Sequence, residues 1–154
     1  MSKTVRLSVE EWCALCENGA KIPVEITLAG VSMEPLIRKN RDTITILPVE
    51  DEIRIGDIVL FRRADGAYVV HRVFRISGDT VVTLGDNCEN PDPPIARAQI
   101  LGKVKRIRRG SRTIETDSAS QKRYGRNRLK LFPIRRRLFH YRFVIRKNLE
   151  RTKE

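Results

Sequence analysis

The sequence predicts a mostly β protein whose short antiparallel strands curl into one coiled sheet or partial barrel. Alternating runs rich in β-branched residues recur between residues 22 and 108, and short turn signals such as Ala64-Asp65-Gly66-Ala67 and Ser77-Gly78-Asp79 separate several of them. A chain of 154 residues has room for one such domain and a tail. We therefore expect one sheet-based body, a short N-terminal helix and a basic, helical C-terminal segment.

The N-terminal helix is indicated by its caps. Ser8-Val9-Glu10-Glu11 is a capping-box pattern, and Asn18-Gly19 is a typical stop, so the helix is predicted to end near Glu17. Six strands are then predicted, at residues 22–29, 43–48, 58–62, 68–76, 81–84 and 100–108. Residues 85–94 contain three prolines and are expected to form an ordered loop.

The C-terminal third differs from the body in charge. Residues 1–102 hold 12 Lys and Arg against 15 Asp and Glu, whereas residues 103–154 hold 19 against 4, which accounts for the net charge of +12. Composition divides the chain into a body of residues 1–109 (core 22–109), a polar flexible linker at 110–125 and a basic amphipathic segment at 126–154. Residues 130–149 fit a helix lying on an anionic membrane surface, with packing on the body or a partner, disorder and nucleic-acid binding as alternatives.

Three polar residue types occur in an order that suggests a serine peptidase. Ser32 is framed by Gly30 and Pro35, and His71 lies 39 residues later within a predicted strand. A serine hydroxyl needs a base within hydrogen-bond reach before it can attack at neutral pH. Asp86 and Asp92 follow the histidine and could orient its ring, and the sequence alone leaves both acids open.

The segments Gly30-Val31-Ser32-Met33-Glu34-Pro35, Gly56-Asp57-Ile58-Val59, the strand ending His71-Arg72-Val73 and Gly85-Asp86-Asn87 together resemble the motifs of type I signal peptidases. The resemblance covers about residues 26–107. It is closest to the archaeal and endoplasmic-reticulum branch, which uses histidine, because His71 stands where the bacterial branch has lysine and no lysine lies between Lys39 and Lys103. Related self-cleaving repressors share the fold and the Gly-x-Ser-Met start but use lysine.

The resemblance implies a role for each matching residue. Ser32 would be the nucleophile, His71 the general base, Asp92 the favoured orienting acid and Asp86 a supporting acid. Met33 and Pro35 beside the serine would contact substrate. The oxyanion would be held by the Ser32 backbone and by the position of Gly30, where many signal peptidases carry a hydroxyl. An oxyanion hole that lacks this hydroxyl donor would lose roughly 3 kcal/mol of transition-state stabilisation unless a backbone amide replaces the hydroxyl.

The implied activity is cleavage of an extended peptide or precursor protein with small residues before the scissile bond, without a metal or other cofactor. The alternative is an inert regulatory or binding module whose basic arm contacts a membrane surface, a partner or, less favoured, nucleic acid. No apolar run of eighteen residues and no secretory leader occurs, so we expect no membrane anchor. Three cysteines without a second C-x-x-C favour reduced thiols. We therefore expect a cytoplasmic protein, peripheral on the inner face of the membrane if the basic segment binds there.

Overall fold

The computed structural model describes residues 7–151. The predicted N-terminal body begins at residue 1 and the predicted basic segment ends at residue 154, so residues 1–6 and 152–154 of these predictions lie outside the described residues. The strands are β1 (Val24–Thr27), β2 (Thr43–Pro48), β3 (Ile58–Arg62), β4 (Tyr68–Ser77), β5 (Thr80–Leu84), β6 (Ile95–Ala96), β7 (Ile100–Arg109) and β8 (Arg112–Glu115). The helices are α1 (Val9–Glu17), α2 (Ala119–Lys130) and α3 (Phe132–Arg151), with a short 3-10 turn at Arg97–Gln99.

All described strand pairs are antiparallel, and they form one curled sheet in the order β1-β2-β7-β3-β4-β5-β6, with β8 added on β7. The sheet is a half-barrel, which confirms the predicted fold class. Register shifts between Thr45 and Ile46 and between Leu60 and Phe61 interrupt the pairing on β7. Such bulges increase strand twist and bending, which suits a sheet that curls.

Helix α1 closes one side of the core, as its caps predict. The Ser8 side chain accepts a hydrogen bond from the Glu11 N–H while the Glu11 side chain accepts one from the Ser8 N–H, which completes the capping box. Trp12 is fully buried, and its indole N–H donates to the Ile22 carbonyl. Because burial of one such aromatic ring removes a large apolar area from water, Trp12 fixes the helix on the sheet.

The stretch 110–125, for which composition predicts a flexible linker, contains β8 and the first half of α2. Ser118 caps α2 by accepting a hydrogen bond from the Gln121 N–H. The pairing of β8 with β7 satisfies backbone groups that a free linker would leave to solvent. The division of the chain into separate domains stays a prediction, but this segment is regular structure.

The two C-terminal helices contact the body beside the loop that follows β5. Phe132 at the start of α3 is buried and meets Phe74 edge-on, with ring centroids 5.5 Å apart. Arg128 of α2 and Arg135 of α3 both donate to the Asp86 backbone carbonyl. The C-terminal segment therefore touches the loop that carries two of the predicted site residues.

Candidate active site

Ser32 lies in a tight turn directly after β1. The Glu34 N–H donates to the Val31 carbonyl, and the Ile37 N–H donates to the Met33 carbonyl. Met33 and Ile37 are fully buried in the main core, so they hold the turn from beneath. Ser32 itself is partly exposed, at a position where its hydroxyl can meet solvent or a ligand.

His71 lies in β4 opposite Val59 of β3. Successive side chains of a strand point to opposite faces, so His71 and Arg72 face opposite sides of the sheet. Both are nearly fully buried. Because of this alternation, the two basic side chains contact different acids: His71 contacts Asp92, and Arg72 contacts Asp86.

Asp92 is the acid that contacts the histidine. Its Oδ2 lies 2.6 Å from His71 Nδ1 and also accepts a hydrogen bond of 2.6 Å from the Thr83 hydroxyl. Burial would raise the pKa of Asp92, but the hydrogen bonds from His71 and Thr83 lower that pKa below its ordinary value. Asp92 is therefore held ionised behind the imidazole ring, as an orienting acid requires.

The His71 imidazole holds its proton strongly. Burial alone would lower the pKa of His71, but the hydrogen bonds and charges of Asp92 and Cys88 outweigh burial and raise the pKa to about 9. A group with this pKa is charged in most molecules at neutral pH. It becomes a base only in the fraction of molecules that has released the proton.

Asp86 does not contact His71. Its carboxylate accepts two hydrogen bonds from the Arg72 guanidinium, at 2.8 and 2.7 Å, and both side chains are 3% exposed or less. Arg72 also donates to the Gly56 carbonyl. Asp86 thus supports the fold on the face of the sheet away from the histidine, whereas Asp92 serves the imidazole.

Ser32 and His71 both lie next to Gly85. A Cβ placed on Gly85 would stand 2.8 Å from the Ser32 backbone carbonyl oxygen and 3.0 Å from His71 Nε2. The Asn87 N–H donates to the Ser32 carbonyl over 2.7 Å, and the Asn87 side chain donates to the Val31 carbonyl. Among residues 7–151 no hydrogen bond joins the Ser32 hydroxyl to the imidazole, so the two residues are neighbours of the same glycine without a direct hydrogen bond.

Two expectations for the neighbours of Ser32 change. Met33, expected to contact substrate, is fully buried in the core and has no surface open to a ligand. Pro35 is exposed and stays available for that role. Gly30 is exposed with no atom within 4 Å of where its Cβ would stand, so this position contributes no side-chain donor to an oxyanion. Within the described residues, the Ser32 N–H donates to no other backbone group and is free for that purpose.

The buried lysine of the sheet is not placed to act as a base. Lys103 of β7 lies 2.9 Å from an oxygen of Asp57 and 3.1 Å from one of Asp51. Burial alone would lower the pKa of Lys103, but these two carboxylates raise that pKa above its ordinary value. Its ammonium is therefore charged and paired with two carboxylates.

A cavity of about 370 Å³ opens next to Asp92. Its walls include Phe61, Pro93, Pro94 and Ile95, and the Phe61 ring lies 6.3 Å from the His71 ring. Another cavity, of about 350 Å³, lies between the sheet and α2. Neither cavity is lined by Ser32 or His71, but the first includes Asp92, the acid that contacts the imidazole.

Three residues of the site received no role from the sequence motifs, although Asn87 belongs to the Gly85-Asp86-Asn87 segment. Thr83 holds Asp92, Asn87 holds the Ser32 backbone, and the Cys88 sulfur would stand 2.5 Å from a Cβ on Gly85. The strand alternation of β5 offered a signal for Thr83, since it lies two residues before Gly85 on the same face. Cys88 gave no signal, because a single cysteine in a loop has no characteristic spacing.

The chain matches the family described as Peptidase S24-like over residues 15–105. The matched stretch covers more than half of the chain and includes Ser32, His71 and both acids, and the protein belongs to this family. The family contains peptidases and self-cleaving repressors, together with members that have no catalytic activity. Among curated proteins there is no significant match. In residues 7–151, no helix is both long enough and apolar enough to cross a bilayer.

Proposed function

We propose that the protein is a serine endopeptidase of the signal-peptidase type that cleaves an extended peptide or precursor protein. The observation that carries the proposal is the imidazole of His71, whose Nδ1 is hydrogen-bonded to Asp92 and whose Nε2 lies beside Gly85, next to the Ser32 backbone carbonyl. This is the order of groups that serine acyl transfer requires: nucleophile, base and orienting acid. The family assignment supports the same chemistry.

In the proposed reaction, neutral His71 takes the Ser32 proton as the serine oxygen attacks the scissile carbonyl. The charged imidazole then gives that proton to the leaving amine, and an acyl-enzyme remains on Ser32. Water attacks this ester with His71 again as base. The developing oxyanion is stabilised by the free N–H of Ser32, and the missing hydroxyl at Gly30 leaves the hole with one donor fewer than many signal peptidases have.

Two features support binding of an extended peptide. β1 leads directly into the Ser32 turn and, among the described strands, pairs only with β2, so its outer edge can bind a substrate strand. The cavity next to Asp92 has a mostly apolar lining and would accept a short side chain of the substrate.

The test is labelling of the purified chain with a fluorophosphonate probe. We expect labelling of the native protein, and loss of labelling in Ser32→Ala and His71→Ala. Ser111→Ala, which changes an exposed serine in the β7–β8 turn, is the matched control and should label normally. Unchanged labelling of Ser32→Ala would end the proposal. Intact mass of the same samples separates cleavage of added peptides from self-cleavage.

A second proposal concerns α3, whose outer face supports attachment to an anionic membrane. The exposed apolar residues of this face follow the helical repeat, and each is at least half exposed: Leu131, Ile134, Leu138, Tyr141 and Ile145. Buried Phe132 and half-buried Arg135 and Phe139 form the face turned to the body. Exposed Arg137 and Arg142 flank the outer face. No acid occurs between Asp117 and Glu150, so the charge suits an anionic lipid surface.

Vesicle pelleting tests this attachment. We expect binding to vesicles containing phosphatidylglycerol and little binding to phosphatidylcholine alone. Leu138→Glu should abolish binding, whereas His140→Glu, the same charge change on another side of α3, should weaken it only slightly. Equal effects of the two substitutions, or retention on DNA with no vesicle binding, would contradict attachment through this face.

A further inference from the structure

The thiol of Cys88 lies beside the base of the candidate site. Cys88 ends a tight turn in which its N–H donates to the Gly85 carbonyl, and this turn folds the side chain back over Gly85. The Cys88 sulfur and His71 Nε2 would lie 2.5 and 3.0 Å from the same Cβ on Gly85. The sulfur and the ring nitrogen are therefore both neighbours of Gly85.

The imidazole has a free side next to Gly85. His71 is 7% exposed and uses Nδ1 for Asp92, while Nε2 forms no hydrogen bond to a nitrogen or oxygen atom within residues 7–151. A buried base oriented by a carboxylate can take the proton of a thiol as readily as that of an alcohol. Cys88, His71 and Asp92 therefore form a second nucleophile–base–acid arrangement on the same imidazole.

We propose that Cys88 is a covalent modification site for small disulfides and other soft electrophiles, and that its modification blocks the reaction of Ser32. The part concerning Ser32 rests on the proposed peptidase function, whereas the reactivity of Cys88 does not. Cys88 is partly exposed and so open to a small reagent. Once modified, it carries additional atoms next to His71 Nε2, which the Ser32 hydroxyl must reach in the proposed reaction.

The step is a thiol–disulfide exchange. The Cys88 sulfur attacks one sulfur of the reagent, a new sulfur–sulfur bond forms and the reagent's own bond breaks. In the molecules whose imidazole is neutral, His71 takes the Cys88 proton and passes it to the departing thiolate. The reagent is reduced to one thiol and Cys88 is oxidised to a mixed disulfide, which a reducing thiol reverses by the same exchange.

Two other cysteines provide an internal comparison. Cys13 and Cys16 lie on α1, and burial raises the pKa of both thiols. Neither lies in the space at Gly85 beside His71. The effect of Cys88 on the histidine is consistent with their proximity, since its hydrogen bond is one of the causes that raise the pKa of His71. Cys13 and Cys16 therefore serve as references for the reagent and the folded state, and the substitution of His71 isolates the effect of the imidazole.

The test is the rate at which each cysteine of the full chain is modified by oxidised glutathione and by iodoacetamide, followed by peptide mass spectrometry. We expect Cys88 to react roughly tenfold or more faster than Cys13 and Cys16, and His71→Asn to remove that advantage. Asp92→Asn should reduce it as well. If a variant unfolds, all three cysteines accelerate together, so the ratio of Cys88 to Cys13 remains the measure in Asp92→Asn.

The consequence for Ser32 is measured on the same samples. Treatment with oxidised glutathione should suppress fluorophosphonate labelling of the native chain, dithiothreitol should restore it, and the ratio of treated to untreated labelling should be near one in Cys88→Ala. Equal reaction of the three cysteines, or a Cys88 rate unaffected by His71→Asn and Asp92→Asn, would overturn the inference. Fast Cys88 modification with no Ser32-dependent labelling would instead refute the peptidase and leave the modification site standing.

Discussion

The reaction of Ser32 should accelerate steeply with pH, because its base is protonated in the resting protein. With a pKa of about 9, His71 is neutral in about 1% of molecules at pH 7 and in about half of them at pH 9. If the imidazole must be neutral to accept the serine proton, the rate constant for fluorophosphonate labelling should rise roughly fiftyfold between these pH values. Ser32→Ala gives the background at each pH.

The substitution Asp92→Asn tests whether Asp92 causes this pH dependence of labelling. The substitution removes the carboxylate that bonds Nδ1, so the pKa of His71 should fall and the labelling rate should change little between pH 7 and 9. The rate itself should drop, on the order of 10³-fold, because the amide no longer orients the imidazole or stabilises its charge. A native profile that is flat from pH 7 to 9 would refute the reasoning about the base.

The protonation of His71 should also make the free energy of unfolding depend on pH. The folded-state pKa of His71, about 9, lies above its ordinary value of 6.5. The bond to Asp92 therefore stabilises the fold fully below about pH 6.5, and this contribution is lost as the pH rises through 9. The loss is on the order of 3 kcal/mol at most, and urea unfolding at pH 6 and pH 9 should show it in the native chain but not in His71→Asn.

Further substitutions test the surroundings of the site. Gly85→Ala should reduce Ser32 labelling by at least about tenfold, because the new Cβ would stand within 3.0 Å of the Cys88 sulfur, the Ser32 carbonyl and His71. The control Gly30→Ala, whose Cβ would meet no atom within 4 Å, should label normally. Gly30→Ser should raise the labelling rate, by up to about 10²-fold if the new hydroxyl reaches the oxyanion, and an unchanged rate would place that position outside the hole. Arg72→Met should lower the free energy of unfolding by about 3–5 kcal/mol because buried Asp86 loses its partner, whereas Arg63→Met, which breaks an exposed pair, should cost less than about 1 kcal/mol. Equal destabilisation by the two arginine changes in urea would contradict this account.

Sequence reasoning predicted the elements that carry strong local signals. The bounds of β2 and β3 agree with the prediction, and α1 begins and ends where its capping residues indicate. β6 has two residues and no alternation to detect, while β8 and α2 are polar segments stabilised by contacts with distant parts of the chain. One such contact places Gly125 of α2 against the Arg72 guanidinium. Local composition cannot report such contacts, because they depend on the folded sheet.

The choice between Asp86 and Asp92 also depends on the folded sheet and could not be made from local sequence. Both Asp86 and Asp92 follow β5 within one loop, and the sequence spacing to His71 allows either. What decides is the alternation of β4, which sends His71 to one face and Arg72 to the other. Arg72 engages Asp86 through two hydrogen bonds, and only Asp92 is then left for the imidazole. Sequence motifs identify both acids, but the alternation of side chains along β4 determines which of them contacts His71.

The turn from Gly85 to Cys88 joins these two sides of the sheet. On one side Asp86 is bonded to Arg72 through its carboxylate and to Arg128 and Arg135 through its carbonyl. On the other side the next residues of the same turn hold the Ser32 backbone and face the imidazole. Since these residues are consecutive, the C-terminal helices contact the same turn that holds the Ser32 backbone. The basic segment therefore borders the candidate site, whether or not its outer face binds a membrane.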